Sequence, residues 1–191
     1  MIEIEKKYRL TKEQYDRVAD DLKDLKAEFT GEDFEENLLF GNEYLKEIGG
    51  LIRIRKSSEK DTLTFKQFIS GGGGMKKHVE HESVIDSPDE VAKIVEALTF
   101  ELRIVYEKRR KTWKFRSVEV VLDELPFGLF MEIEGTNMAI AEAEMFLGAD
   151  EFEAEEKTYP YLTKQLGKRN GNRIEARFAN NDGVIEDKYI H

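Results

Sequence analysis

Apolar and charged positions alternate through the first ten residues. In an extended chain Ile2, Ile4 and Lys6 fall on one face and Glu3, Glu5 and Lys7 on the other. That period of two predicts an opening strand. The period then changes. Tyr15, Val18, Leu22, Leu25 and Phe29 recur at helical spacing behind Thr11 and Gln14, which have capping-box spacing, so a helix is predicted over 12–28. Strand-like runs return at 36–40, 51–56, 62–68, 77–85, 102–115, 117–122 and 129–135. Two pairs of these, joined by short polar turns, read as hairpins. Ser87, Pro88 and Glu90 mark a helix start ahead of the stripe Val91, Ile94, Val95 and Leu98. Further helices are expected over 138–147, stopping at Gly148, and from near Glu155 or Tyr159 to near Gly167. The glycine run within 70–74 has no Gly-Lys-Ser/Thr after it and reads as a flexible loop. From Lys168 onward the chain is polar with weak periodicity, and a poorly ordered or loosely docked tail is expected over 168–191. Residues 1–167 form the expected folded domain.

Composition narrows the chemistry. A chain of 191 residues with 40% hydrophobic content suits one globular domain. No apolar run reaches the length of a membrane span. Cysteine is absent, which removes disulfides, thiolate metal sites and a cysteine nucleophile, and fits a cytoplasmic location. The formal net charge of −10 argues against nucleic acid as a partner. A smaller anion still fits, provided the cations converge locally.

The strand charges fall in like-charged doublets at i and i+2. Glu3/Glu5, Glu80/Glu82 and Glu132/Glu134 are acidic; Arg53/Arg55 and Lys108/Arg110 are basic. Lys7, Lys66 and Asp123 occupy matching faces, and the opposite faces are largely Ile, Val, Leu and Phe. One face of the sheet therefore needs covering, which the amphipathic helices supply. An open sheet with a solvated charged face would carry mixed polar residues rather than doublets, since like charges repel unless a counter-ion is bound. Carboxylate pairs call for a hard divalent cation, Mg²⁺ or Mn²⁺. The arginine and lysine groups call for a polyanion, most naturally phosphates. About eight strands closed into a barrel would gather all these groups around one wet lumen.

The same residues resemble a known family. Glu3-x-Glu5-x-Lys7 looks like the ExExK signature of the CYTH superfamily, the triphosphate tunnel metalloenzymes. The resemblance continues in order through Leu51-Ile-Arg53-Ile-Arg55, Leu63-Thr-Phe-Lys66, Glu80-x-Glu82, Lys108-Arg-Arg110, Val121-Leu-Asp123 and Phe130-Met-Glu132-Ile-Glu134, covering about residues 1–165. It implies an α+β fold, an eight-stranded antiparallel barrel with flanking helices. It also implies triphosphate binding by Arg53, Arg55, Lys66 and Arg110, with Lys7, Lys108 and Lys157 close by. Metal-binding carboxylates would be Glu3, Glu5, Asp123, Glu132 and Glu134, with Glu80 and Glu82 supporting; Glu5, Lys66 and Glu134 are expected at the reacting centre. Two positions depart from the pattern. Leu39-Phe40-Gly41 stands where many members have Tyr-Phe-Asp, and His78 where many have Arg.

The function implied is metal-dependent hydrolysis of an inorganic or organic triphosphate, with Mg²⁺ or Mn²⁺ as cofactor. The alternatives are a class IV adenylyl cyclase, which shares the same cations and metal, and a non-catalytic polyphosphate- or nucleotide-binding module. The partner expected is a triphosphate-containing small molecule, with neither nucleic acid nor membrane; a homodimer is compatible with the pattern.

Overall fold

A computed structural model describes residues 2–72 and 75–179; the side chains at 2–3 and 70–78 lie outside that description. In chain order the elements are β1 (Ile2–Leu10), α1 (Lys12–Asp24), β2 (Glu28–Gly41), α2 (Glu43–Glu47), β3 (Gly50–Ser57), β4 (Thr62–Gly72) and β5 (Met75–Val84). There follow α3 (Pro88–Ala97), β6 (Glu101–Phe115), β7 (Val118–Leu125), β8 (Gly128–Glu134) and α4 (Asn137–Leu147). The chain continues through β9 (Glu153–Ala154), α5 (Tyr159–Leu166), β10 (Lys168–Asn170) and β11 (Arg173–Ala176). The architecture is α+β.

Hydrogen bonding follows the path β6–β2–β3–β4–β5–β1–β8–β7, antiparallel at every step, and β7 also pairs with β6 from Arg109↔Glu124 to Phe115↔Val118. Three strands stand outside that path of eight, so the sheet has eleven among the described residues. β9 adds to β1, and β10 and β11 add to β6.

Alternation assigns the two faces. Ile54, between Arg53 and Arg55, is fully buried and packs with Phe40 beneath Val95 of α3. Tyr8, Val120, Leu122, Met131 and Ile133 form the larger core with Val18 and Leu22 of α1 and Ile140, Ala143 and Leu147 of α4. Each of the strand residues lies next in sequence to a residue of the opposite, charged face, such as Lys7 or Glu132. Side-chain caps start two of the covering helices: Thr11 and Gln14 complete a capping box on α1, and Thr136 accepts from the Ala139 amide on α4, whereas α3 opens on Pro88 with no side-chain cap from Ser87. α4 ends at Gly148, whose φ of 57° lies in the left-handed region that glycine enters without strain.

Four expectations need correction. The first helix ends at Asp24 rather than 28, because Lys26 turns the chain through φ 57° and Glu28 already enters β2. The short strand at 36–40 is instead the fourteen-residue β2, paired with β6 along its length from Glu28↔Lys114 to Gly41↔Glu101. The glycine loop is shorter than expected. Gly71 and Gly72 pair with Lys76 and Met75, while Gly73 and Gly74 lie outside the described residues.

The tail expected to be poorly ordered is built into the sheet over 168–176. β7 pairs with β6 only from Arg109 onward, and β11 occupies the upstream edge in parallel, Ile174↔Ile104 to Ala176↔Tyr106. An unpaired edge at that seam would leave amides and carbonyls without partners. Arg177 then bridges the buried Glu107 at 2.8 Å and Glu36 at 2.6 Å. Gly167 allows the close passage from α5 into β10: a Cβ there would sit 2.6 Å from the Thr163 carbonyl oxygen. Residues 180–191 lie outside the described residues.

Ile54→Ala tests the face assignment. It should cost about 2–5 kcal/mol in urea unfolding, the range for a buried large-to-small change. A loss below about 0.5 kcal/mol, typical of surface sites, would contradict it.

Candidate functional site

The charged face encloses a cavity of about 580 Å³ whose lining includes Glu5, Lys7, Arg53, Arg55, Lys66, Glu80, Glu82, Lys108, Arg110, Glu132 and Glu134. Six strands contribute these groups. Leu39, Leu51, Phe68 and Tyr106 add apolar surface, and Thr158, Tyr159 and Pro160 bring the start of α5 to the wall. A second cavity of about 310 Å³ shares Arg55, Glu82, Arg110 and Glu119 with the first and continues past Glu35, Thr62 and Thr112.

Cations and carboxylates interlock around this space. Arg110 grips Asp123 with Nε at 2.7 Å and Nη2 at 2.6 Å, and Nη2 also reaches Glu132 at 2.7 Å. Lys7 lies 3.1 Å from Glu132 and 3.6 Å above the Tyr159 ring. Tyr159 donates its hydroxyl to Asp123 at 2.8 Å. Arg53 meets Glu80 at 3.3 Å and Glu82 at 3.6 Å, and Lys66 meets Glu80 at 2.9 Å. Lys108 sits between Glu35 at 3.1 Å and Asp123 at 3.6 Å. Arg55 directs Nε to Glu35 at 3.2 Å.

Burial without a partner is costly for an ion, so the pairing explains how the network persists. Burial opposes ionisation of Glu35, but Arg55, Lys108 and Arg110 outweigh it and hold the carboxyl well below the usual carboxylate range. Glu132 is lowered in the same way by Lys7, Arg110 and Lys108 against burial. Lys108 moves the other way: burial, then the adjacent Arg110, push it down to about 8 despite Asp123 and Glu35. Burial and the Asp123 charge raise Tyr159 well above its ordinary value, keeping its hydroxyl a donor. The pairing is incomplete. Arg53 Nε is buried with no hydrogen-bond partner, and neither terminal nitrogen of Arg55 has one among the described residues. These donors suit an anion.

The structure gathers Glu5, Lys7, Arg53, Arg55, Lys66, Glu80, Glu82, Lys108, Arg110, Glu132 and Glu134 as the strand pattern expects. Asp123 lies behind them, fully buried between Arg110, Lys108 and Tyr159. Lys157 is exposed with its ammonium 5.4 Å over the Tyr161 ring, outside the cavity lining; its carbonyl oxygen lies 3.4 Å from Lys7 Nζ. The Glu3 and His78 side chains lie outside the described residues. Glu35, Asn37, Tyr106 and Tyr159 were not anticipated. Glu35 and Asn37 share a β2 face by alternation, but Glu32, Asp33, Glu35 and Glu36 form an acidic run that masks the period.

Comparisons with known proteins bear on the family and the fold. The CYTH domain model matches residues 1–164. PH1012 from Pyrococcus horikoshii OT3 superposes with TM-score 0.73 at 24% identity, covering 82% of this chain and 96% of that one. A Hippeastrum protein, HpAC1, described as having a dominant triphosphatase activity, gives 0.68 at 19%, covering 90% and 99%. A Vibrio parahaemolyticus protein named as a candidate adenylate cyclase gives 0.65 at 19%, covering 83% and 95%. No curated protein matches.

Lys108 generates a pH prediction. Its charged form attracts a polyanion and is lost as pH rises through about 8. Tripolyphosphate affinity should therefore fall above that pH relative to Lys108→Arg, which stays charged throughout. Calorimetry on both proteins from pH 7 to 9 checks this; parallel affinity curves would contradict it.

Proposed function

Because the chain belongs to the CYTH domain family, we propose that it hydrolyses the terminal phosphoanhydride bond of a triphosphate held in the wider cavity. The pairing of β7 back onto β6 supports reading the path of eight strands as a closed barrel around that cavity. The observation that carries the proposal is the convergence of Lys7, Arg53, Arg55, Lys66, Lys108 and Arg110 on one cavity, with Arg53 Nε and the Arg55 terminal nitrogens lacking hydrogen-bond partners among the described residues. Donors spread over several strands around one cavity can reach the oxygens of more than one phosphate, which suits a triphosphate better than a single phosphate.

Family members typically use divalent metals, and the residues present fit one. Among the described residues no three carboxylates or imidazoles form a ready-made cage. Mg²⁺, however, is commonly bound by one or two carboxylates together with substrate phosphates. Glu5 and Glu134 are cross-strand partners on β1 and β8, line the cavity and supply hard oxygen donors. Mg²⁺ or Mn²⁺ held there would neutralise charge on phosphoryl oxygens.

The protein's own groups do the rest. Arginine forks and lysine ammoniums bind the phosphates and stabilise the charge that grows on the leaving oxygen. Carboxylates at the cavity wall orient a water molecule. Its oxygen bonds to the terminal phosphorus as the bridging P–O bond breaks, its proton passes to solvent, and diphosphate leaves. Asp123 and Glu132 keep Arg110 in place throughout.

Leu39, Leu51 and Phe68 beside the cations favour one second reading, a cyclase that seats a nucleoside on this apolar surface. The same family cations would then direct attack by the ribose hydroxyl on the α-phosphorus. Product chromatography separates the two. With Mg²⁺ or Mn²⁺, phosphate release from tripolyphosphate should exceed cyclic AMP formation from ATP, and excess chelator should abolish it. Dominant cyclic AMP with negligible phosphate would select the cyclase; full activity in chelator would remove the metal.

A further inference from the structure

Glu35 stands apart from the acidic doublets that the sequence brings forward. It comes from β2, is almost wholly buried, and lines the narrower cavity but not the wider one. Arg55 and Arg110 line both. The carboxylate therefore meets these cations from the side opposite the wider cavity. Its Oε2 lies 3.2 Å from Arg55 Nε, 3.1 Å from Lys108 Nζ and 3.2 Å from the Asn37 amide nitrogen; its Oε1 lies 4.0 Å from Arg110 Nε. Asn37, fully buried, closes a triangle by accepting from Arg55 Nε at 3.4 Å.

This grip has a directional consequence. Among the described residues Arg55 is held by Nε, which leaves its terminal nitrogens to a ligand. Arg55, Lys108 and Arg110 would repel one another if the carboxylate behind them were removed. Their geometry would then be set only after ligand arrives, at the cost of reorganisation during reaction.

We propose that Glu35 is a positioning residue for triphosphate turnover, holding Arg55 and Lys108 from behind so that their donors face the bound phosphates. The role rests on the triphosphatase reading. Glu35 does not itself touch substrate, and its negative charge opposes anion binding while improving the geometry of the groups that bind. Affinity and turnover should therefore separate when it is neutralised.

Glu35→Gln keeps the shape and removes the charge. Tripolyphosphate affinity by calorimetry should stay within about twofold of wild type or tighten, while kcat falls about 10- to 100-fold, as small misplacements of catalytic groups cause. Glu35→Asp retains the charge and should recover part of the lost kcat. If Gln fails to fold, Asp alone should show a lowered kcat with affinity held. A kcat within about threefold of wild type, or affinity lost in step with kcat, would overturn the role. Wild type that binds and hydrolyses no tripolyphosphate would remove the triphosphatase reading and this role with it; wild type that turns over while the variants behave alike would remove this role only.

Discussion

Mutual neutralisation of buried charges is the constraint on which the rest of the structure depends. The sheet gathers arginine, lysine, aspartate and glutamate on one charged face, where an unpaired buried ion costs several kcal/mol. The chain meets that cost with interlocking pairs. Arg110 between Asp123 and Glu132, Arg53 and Lys66 on Glu80, and Lys108 and Arg55 on Glu35 leave few charges without a partner. Asp123, Glu35 and Glu132 hold cations, and Glu5 and Glu134 are cross-strand partners on β1 and β8 at the cavity wall. Among the described residues the balance is left slightly open at Arg53 Nε and the terminal nitrogens of Arg55, where the proposed triphosphate would complete it.

The outer face depends on the same alternation. Tyr8 beside Lys7, Ile54 between Arg53 and Arg55, and Met131 and Ile133 on either side of Glu132 are buried in the cores that α1, α3 and α4 cover. Shifting any central strand by one residue would exchange the faces, placing Ile54 in the wet interior and Arg53 and Arg55 under α3. Packing outside therefore enforces geometry inside. The C-terminal residues serve this purpose as well. β11 fills the edge of β6 that β7 leaves uncovered, beside α5, and α5 in turn places Tyr159 against Lys7 and Asp123.

Local periodicity made much of this legible in the sequence. Ile4 against Glu5, Ile52/Ile54 against Arg53/Arg55 and Met131/Ile133 against Glu132/Glu134 need only neighbouring residues to declare a face. What remained hidden depends on distant partners. The first half of β2 reads as an acidic run until β6 pairs with it, so Glu35 went unseen. β10 and β11 have three and four residues and gain their structure from the β6 edge and from Arg177 on Glu107. Nor does spacing show which carboxylate holds an arginine. Asp123 looks like the others in sequence, and only its closeness to Arg110 and Tyr159 separates it.

The most direct measurement is a crystal structure with tripolyphosphate and Mg²⁺ present. The anion should lie in the wider cavity, its oxygens within hydrogen-bonding distance of Arg53 and of the terminal nitrogens of Arg55, while Arg110 keeps its grip on Asp123. Tripolyphosphate bound only on the outer surface, or absent from the cavity at saturating concentration with these side chains unmoved, would contradict the assignment of this charged interior as a triphosphate site.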